Sequence, residues 1–311
     1  MTGLSPVPGR GDESRYPDQA PDHVVVLMVF QKPDQVVWLI ELLLRLGAAV
    51  VVHVDAKHVE RFIGLGQRFA GDPRVHVLDR SVRVNWGGFS QVRATLLGIQ
   101  AALDRFSGFR YLHLMSGECL PLMDFASMGA RIEALPPDAD FIESEHKSGY
   151  AWRINRYNIL GEHPRNRAHW HNLAFKKLRD AQKPFPPRRN FDVSEIRIGS
   201  TWWSLRASSV HAMWEQAGDM EDFCHRFRWT RCSDEHFFQI LHYRAGRVPA
   251  GSARKVRFPP GVASPAYLSL VEVQQALAEG CLFARKVEAD VAARYWQDET
   301  ARTGQGLVTT P

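Results

Sequence analysis

Two adjacent carboxylates are the first candidates for chemistry in this sequence. Asp234 and Glu235 lie in the stretch Ser233-Asp234-Glu235-His236-Phe237-Phe238, at the beginning of an apolar helical pattern. Acidic side chains at that position complement the helix dipole, which is a sufficient structural reason for them. A carboxylate can also act as a general base that takes a proton from a hydroxyl within hydrogen-bond reach. The residue types alone leave both interpretations open.

A glycine-rich turn, Val84-Asn85-Trp86-Gly87-Gly88-Phe89-Ser90, comes directly before a long amphipathic pattern. Gly87 and Gly88 would let the backbone approach a ligand closely, and the following helix N-terminus would favour an anionic group. Ser90 is a suitable N-cap residue for that helix. A tight turn explains the two glycines equally well, so the stretch with Trp86 is a candidate binding segment and no more.

The third candidate stretch is Ile198-Gly199-Ser200-Thr201-Trp202-Trp203-Ser204-Leu205. Trp202 and Trp203 could be core residues, because tryptophan buries a large apolar area. Ser200 and Thr201 beside them add polar groups that a strand buried in the core would not need. A sugar-binding role and a packing role therefore both fit this pair.

Metal ligands are not indicated by the pattern of acidic and cysteine residues. The sequence Asp138-Ala139-Asp140 follows Leu135-Pro136-Pro137, which is typical of a helix exit, whereas a metal-binding Asp-x-Asp motif normally closes an apolar strand. The four cysteines form no Cys-x-x-Cys pair and have no zinc-finger spacing with histidine. We expect reduced thiols, with a Cys224–Cys232 bridge as the alternative.

These candidates must be positioned by an alternating series of strands and helices. Residues 24–30 form a continuous apolar, β-branched run, which predicts a strand covered on both faces. Further strands are predicted at residues 49–54, 75–78, 111–115, 140–143 and 197–205. Amphipathic patterns predict helices at residues 35–46, 60–70, 90–105, 125–135, 208–218, 235–244 and 270–279. This order indicates an α/β fold with a mostly parallel, Rossmann-like sheet flanked by helices.

In such a sheet, ligands bind outside the carboxyl ends of the strands. Asp55 follows the second predicted strand, and Ser116, Gly117 and Glu118 follow the fourth. We therefore expect these side chains to lie at the edge of the sheet where the site is formed.

Composition places the 311-residue chain among ordinary globular proteins, with 45% hydrophobic and 23% charged residues and a formal net charge of +5. Residues 1–22 are rich in Pro, Gly, Asp and Arg and predict a disordered tail. Residues 23–297 form one predicted domain, and 298–311 a loose C-terminal tail. No signal peptide or transmembrane segment is indicated, so the cytoplasm is the expected location.

A basic segment interrupts the series of strands and helices. Residues 147–189 contain eleven Lys or Arg and only two acidic residues, with aromatic residues interleaved. A solvated insertion at 147–190 is the simplest interpretation, and a platform for an acceptor or for peripheral contact with the inner face of a membrane is the alternative. Nucleic-acid binding is not expected, because nothing resembles a DNA- or RNA-binding module.

Taken in order, several motifs resemble the core-2/I-branching β-1,6-N-acetylglucosaminyltransferases of glycosyltransferase family 14 and the related peptide O-xylosyltransferases. The likeness extends over residues 24–287. It is carried by Val52-His53-Val54-Asp55-Ala56-Lys57, Trp86-Gly87-Gly88-Phe89-Ser90, Tyr111-Leu112-His113-Leu114-Met115-Ser116-Gly117-Glu118-Cys119-Leu120-Pro121-Leu122, Gly199-Ser200-Thr201-Trp202-Trp203-Ser204-Leu205, Asp234-Glu235-His236-Phe237-Phe238 and Leu282-Phe283-Ala284-Arg285-Lys286.

The resemblance implies a GT-A fold and an inverting transfer from a UDP-sugar to a hydroxyl, with Glu235 as the catalytic base. It implies that Lys286 and an upstream arginine, Arg257 or else Arg254, neutralise the diphosphate in place of a metal ion, so no metal is required. Donor-binding residues would then be Asp55, Trp86, Gly87, Gly88, Arg254, Arg257 and Lys286. Acceptor- or sugar-binding residues would be Ser116, Gly117, Glu118, Trp202, Trp203 and Asp234.

The resemblance leaves the sugar and the acceptor open. N-acetylglucosamine is the preferred donor sugar, with xylose and glucuronic acid as alternatives, and a glycan, glycolipid or polysaccharide is the expected acceptor. The animal enzymes are membrane-anchored and rich in disulfides, which this sequence does not share, so we expect a bacterial-type member. A non-catalytic protein that binds nucleotide sugars is the remaining alternative.

Overall fold

A computed structural model of the chain describes residues 21–163, 169–188, 190–262 and 264–303. Residues 1–20 of the tail predicted at 1–22, and residues 304–311, lie outside this part. Within it, the strands are β1 (His23–Val29), β2 (Ala48–Val54), β3 (Val75–Val77), β4 (Tyr111–Ser116), β5 (Cys119–Pro121), β6 (Ala139–Asp140), β7 (Glu145–His146), β8 (Arg197–Ile198), β9 (Ser204–Arg206), β10 (Val248–Pro249), β11 (Arg254–Val256) and β12 (Phe283–Arg285).

The helices of the described residues flank these strands. They are α1 (Pro33–Arg45), α2 (Leu65–Arg68), α3 (Ser90–Arg105), α4 (Phe125–Glu133), α5 (Trp152–Asn155), α6 (His169–Ala181), α7 (Ala207–Ala217), α8 (Met220–Phe227), α9 (Phe237–Arg244), α10 (Leu270–Ala278) and α11 (Ala289–Thr303).

The central sheet has the strand order β3-β2-β1-β4-β9. β1 is parallel to both β2 and β4, and β2 is parallel to β3, whereas β9 is antiparallel to β4. Val25 and Leu27 of β1 belong to one core cluster and Val24 and Val26 to the other, because successive side chains of a strand point to opposite faces. The predicted mixed α/β class, with a mostly parallel sheet between helices, is confirmed.

The two faces of the sheet have different covers. Helices α1, α4, α10 and α11 contribute to the first core cluster, and α3, α7, α8 and α9 contribute to the second. At one point the packing is close enough to require glycine: a Cβ on Gly98 of α3 would lie 2.4 Å from Val26 Cγ1. The core therefore fixes both layers of helices against the sheet.

Four predicted elements differ from the structure. The strand predicted at 140–143 is reduced to the two residues of β6, Ala139–Asp140. The helix at 60–70 is interrupted at Gly64, whose φ of +83° begins the single turn α2. The strand at 197–205 is divided into β8 and β9, which belong to different sheets, because β8 pairs with β7 and β9 pairs with β4. Helix α11 continues through 298–303, where a loose tail was predicted.

A small second sheet completes the edge where the site is expected. Its order is β11-β12-β5, and β5 directly follows β4 and the Ser116-Gly117-Glu118 turn. Lys286 comes directly after β12. This sheet therefore carries the C-terminal basic residues to the carboxyl end of β4.

Two further predictions concern covalent links and membrane spans. All four cysteines are free, so the alternative of a Cys224–Cys232 bridge is excluded. Within the described residues, none of the helices combines the length and apolar character needed to cross a bilayer.

Candidate active site

Glu235 occupies a short 3-10 turn, Ser233–Glu235, that immediately precedes α9. The turn begins after Cys232, which has a left-handed backbone with φ of 49°. The Glu235 side chain is 34% exposed, and Arg153 Nη1 donates to its Oε2 at 2.5 Å. The structure thus presents one carboxylate at the surface of the site and fixes its orientation with an arginine from the basic segment.

Asp234 has the opposite environment, although it is the neighbouring residue. It is 6% exposed, and its Oδ2 accepts from Thr201 Oγ1 at 2.6 Å and from Gln91 Nε2 at 3.3 Å. Burial, followed by the nearby charge of Glu235, raises the pKa of Asp234 to about 6. Asp234 therefore links its own turn to the first turn of α3 and to the segment that contains Thr201, and Glu235 is the more accessible carboxylate of the pair.

The Trp86-Gly87-Gly88 turn is attached to this pair. Cys232 N donates to the Gly87 carbonyl at 2.8 Å, and Gly87 has a φ of +69°. A Cβ on Gly88 would lie 2.6 Å from Glu162 Oε1. The group that closely approaches Gly88 is thus a carboxylate of the protein itself.

That carboxylate also corrects the predicted cap of α3. The N-cap residue is Phe89, not Ser90. Glu162 Oε1 accepts from Ser90 N at 2.8 Å, and Glu162 Oε2 accepts from Ser90 Oγ at 2.8 Å. A carboxylate at this position satisfies an unpaired backbone N–H and complements the helix dipole, which explains why the hydroxyl of Ser90 is not needed as the cap.

The paired tryptophans separate into two roles. Trp203 is completely buried in the core. Trp202 is partly exposed, and the Arg285 guanidinium lies 4.7 Å from the centre of its ring system. The segment before Trp202 requires a glycine at position 199, because a Cβ there would lie 1.9 Å from the carbonyl oxygen of Glu143. Of the two tryptophans, Trp202 is the one placed beside the charged residues.

The second part of the site is a group of basic side chains around Glu118, which we call the cation cluster: Lys32, Arg285 and Lys286. Glu118 is 4% exposed, with Lys286 Nζ 3.4 Å from Oε2 and Lys32 Nζ 3.6 Å from Oε1. Arg285 Nε donates to Ser116 Oγ at 3.2 Å. Tyr267 donates its hydroxyl to Glu118 Oε1.

Tyr267 and the cation cluster together lower the pKa of Glu118. Burial alone would raise the pKa of this carboxyl, but the Tyr267 hydrogen bond and the charges of Lys286, Arg285 and Lys32 together lower it. The ammonium of Lys32 lies 4.5 Å, and that of Lys286 5.5 Å, from the centre of the Tyr267 ring. Glu118 is therefore the internal counter-ion of a site that concentrates three positive charges.

The two arginines predicted as partners of Lys286 are engaged with other groups. Arg254 is 7% exposed and donates to the carbonyls of Trp203 at 2.9 Å and Leu114 at 3.2 Å, so it joins the two sheets. Arg257 pairs with Glu272, with its Nε 2.7 Å from Oε1, and donates to the Tyr267 carbonyl at 3.0 Å. Arg285 and Lys32 are the cations that the structure places with Lys286.

Asp55 lies at the carboxyl end of β2, as predicted, and is 7% exposed. Its Oδ1 accepts from Lys57 N at 2.9 Å and from Val84 N at 3.3 Å. These bonds attach the segment that leads to Trp86, which is 37% exposed. Gly117 closes the neighbouring turn, where a Cβ would lie 2.9 Å from Val36 Cγ2.

A series of contacts connects Glu235 with the cation cluster. Asp234 is bonded to Thr201, and the next residue, Trp202, lies against Arg285. Sequence reasoning missed three members of this arrangement. Arg285 was within a quoted motif, and Lys32 follows a strand end, so both had a signal. Nothing distinguished Arg153 from the other basic residues of its segment.

The second aspartate of the Asp-x-Asp sequence has a structural role. Asp140 is completely buried, and its Oδ1 accepts from Arg206 N at 2.8 Å. Its Oδ2 lies 3.1 Å from His242 Nε2. Among the residues the structure describes, no group of three or more His, Cys, Asp or Glu has an arrangement suited to a metal ion.

The chain matches a known protein family. The family model described as Core-2/I-Branching enzyme matches residues 36–257, a range that includes Asp55, Glu118 and Glu235 but ends before Arg285 and Lys286. No curated protein matches the chain.

Proposed function

The chain belongs to the core-2/I-branching enzyme family and is a glycosyltransferase, and from that premise we propose an inverting, metal-independent transfer from a UDP-sugar to a hydroxyl of a glycan acceptor. One observation carries the proposal. The accessible carboxylate of Glu235 is connected, through Asp234, Thr201 and Trp202, to a cluster of three cations at the same edge of the sheet.

In the proposed reaction, Glu235 takes the proton of the acceptor hydroxyl. The acceptor oxygen forms a bond to the anomeric carbon of the donor while the bond from that carbon to the diphosphate oxygen breaks. Attack opposite to the leaving group inverts the configuration. Arg153 orients Glu235, and a positioned base of this kind contributes about 10²–10⁴-fold to the rate.

The departing diphosphate needs positive charge, because negative charge develops on its oxygen as the bond breaks. Lys286, Lys32 and Arg285 supply that charge in this proposal, and Tyr267 is their neutral neighbour. Fixed cations at a developing oxyanion require little reorganisation during the reaction. The Asp55 and Trp86 segment is proposed to hold the nucleoside.

Metal independence is part of the proposal. It is supported by the commitment of both Asp140 oxygens to Arg206 and His242 and by the presence of protein cations where the diphosphate would bind. A thermal-shift comparison of UDP with EDTA and with manganese tests it. Equal stabilisation is expected in both, whereas stabilisation that requires manganese would contradict the proposal.

N-acetylglucosamine is the proposed donor sugar, on the basis of the motifs around Trp202-Trp203 and Asp234-Glu235-His236. Xylose and glucuronic acid are the alternatives within the same reaction class. The same thermal-shift panel, run with UDP-N-acetylglucosamine, UDP-xylose and UDP-glucuronic acid, distinguishes them by the size of the shift. The donor that stabilises the protein beyond UDP alone identifies the sugar.

The role of Glu235 is tested by the isosteric variant Glu235→Gln. We expect turnover to fall by about 10²–10⁴-fold, with UDP affinity within about twofold of wild type, because the carboxylate is proposed to contact the acceptor. Glu279→Gln is the control, since it removes an exposed carboxylate that is paired with Lys255. Turnover of Glu235→Gln close to the wild-type rate would refute the assignment of the base, and UDP binding without turnover in wild type would favour a non-catalytic binding protein.

A further inference from the structure

A cavity of about 450 Å³ opens where helix α6 of the basic segment faces the loop before Glu235. Its lining includes the aromatic residues Trp152 and Phe175 and the basic residues Arg153, Lys176, Arg179 and Arg231. Binding sites for small molecules have volumes of about 300–1,000 Å³. The cavity is therefore large enough for one sugar-sized group with its substituents.

The positive charges in this cavity are only partly neutralised by the protein. Arg153 pairs with Glu235, and Arg179 pairs with Asp180. Neither Arg231 nor Lys176 has an ion-pair partner among the described residues. Burial, with the like charges of Arg153 and Arg179, lowers the pKa of Arg231 against the opposing effects of Cys232 and Glu235. Partly buried like charges are unfavourable unless an anion shares the site.

Aromatic rings hold these guanidinium groups in place. Arg231 lies 4.1 Å from the centre of the Phe175 ring, and Arg179 lies 5.3 Å from the Trp152 ring. Stacked arginines keep their N–H groups available for bidentate bonds to phosphate or carboxylate. The cavity thus combines an apolar wall with several cationic N–H donors.

Arg153 connects the cavity to the proposed chemistry, because the same side chain lines the cavity and donates to Glu235. We propose that the cavity is an acceptor subsite that binds an anionic group, a phosphate or a carboxylate, of the molecule whose hydroxyl Glu235 deprotonates. This inference rests on the proposed function and adds the chemical class of the acceptor. The donor diphosphate is assigned elsewhere, because none of the cation cluster lines this cavity.

Direct binding of small anions tests the subsite in the full chain. Inorganic phosphate and free glucuronic acid are titrated calorimetrically at low ionic strength, in the presence of excess UDP so that the donor site is filled. We compare wild type with Arg231→Gln and Lys176→Gln. The matched controls are Arg228→Gln in the same loop and Lys177→Gln, the next residue of the same helix, neither of which lines the cavity.

We expect saturable binding of at least one of the two anions, weakened about tenfold by Arg231→Gln and severalfold by Lys176→Gln, with both controls unchanged. The anion that binds more tightly distinguishes phosphate from carboxylate. Equal weakening of anion binding by the control and cavity variants would overturn the proposal, since the loss would then reflect the overall charge of the protein and not contacts in the cavity. The absence of saturable binding of either anion to wild type would overturn it as well.

A titration of UDP alone separates this inference from the proposed function. If Arg231→Gln weakens UDP binding as strongly as Lys286→Gln does, the cavity holds the donor and the acceptor assignment is wrong. If UDP binding and the Glu235→Gln result are as proposed but no anion binds the cavity, only the subsite fails. Arg231→Gln and Lys176→Gln should reduce the rate of transfer to anionic acceptors at least tenfold more than the rate of transfer to neutral acceptors.

Discussion

Replacing Glu118 by glutamine would test whether the cation cluster is a diphosphate site that the protein fills with its own carboxylate. The amide keeps the shape of the side chain and one oxygen that can accept from Tyr267 and Gln31, whose Nε2 lies 3.1 Å from Oε1. It removes the negative charge 3.4 Å from Lys286 and 3.6 Å from Lys32. Stability and UDP affinity should then change in opposite directions.

The loss of stability follows from the surroundings of the three charges. Removing one partner of a fully buried ion pair costs about 3–5 kcal/mol. Here the lysine side chains are 17% and 30% exposed and can be hydrated, and Lys32 retains Glu288 at 2.6 Å. We therefore expect the free energy of unfolding to fall by about 2 kcal/mol.

The gain in affinity follows from the same charge. A diphosphate bound to Lys286 and Lys32 would be repelled by the Glu118 carboxylate by on the order of 1–2 kcal/mol. Glu118→Gln should therefore bind UDP about tenfold more tightly. Thermal unfolding measures the first effect and calorimetric titration of UDP the second. Glu279→Gln is the control, and its UDP affinity should be unchanged, because it removes a carboxylate paired with Lys255, which is not in the cation cluster. Equal or weaker UDP binding by Glu118→Gln would refute the assignment.

Two further predictions concern residues that hold the site together. Asp234→Asn removes a carboxyl whose pKa is raised from 3.8 to about 6 in the folded chain, so the folded state binds the proton more tightly and this group loses its stabilising effect as the pH rises through about 4–6. Between pH 4 and pH 7, the free energy of unfolding of the variant, measured with urea, should rise by about 1–3 kcal/mol relative to that of wild type. If the free energies of both proteins change equally with pH, the pKa of Asp234 is not raised by its environment. Gly199→Ala would place a Cβ 1.9 Å from the Glu143 backbone oxygen, whereas Gly88→Ala meets the flexible end of Glu162 at 2.6 Å. Thermal unfolding should show losses of about 3 kcal/mol for the first and about 1 kcal/mol for the second, through the weakened cap of α3, and equal losses would show that the backbone contact does not matter.

The elements that the sequence predicted well are those with strong local patterns. Strands β1 and β2 are continuous apolar runs, and α3 begins and ends at Ser90 and Arg105 as predicted, because its periodicity extends over four turns. The helix at 60–70 was wrong because Gly64 adopts a left-handed conformation inside a periodic pattern. The strand at 197–205 was wrong because its two ends pair with different partners, β7 and β4, and pairing partners are not encoded in the apolar pattern of one segment.

The sequence by itself determined the class of the fold, the strand ends where polar residues collect, and the carboxylate proposed as the base, because these depend on patterns within short segments. Only the tertiary structure decided which cations surround Glu118. Arg254 and Arg257 are as basic as Lys32 and Arg285, but the paths of β11 and the following loop direct them to backbone carbonyls and to Glu272. The sequence shows which residues are charged, and only the folded structure shows which groups their side chains contact.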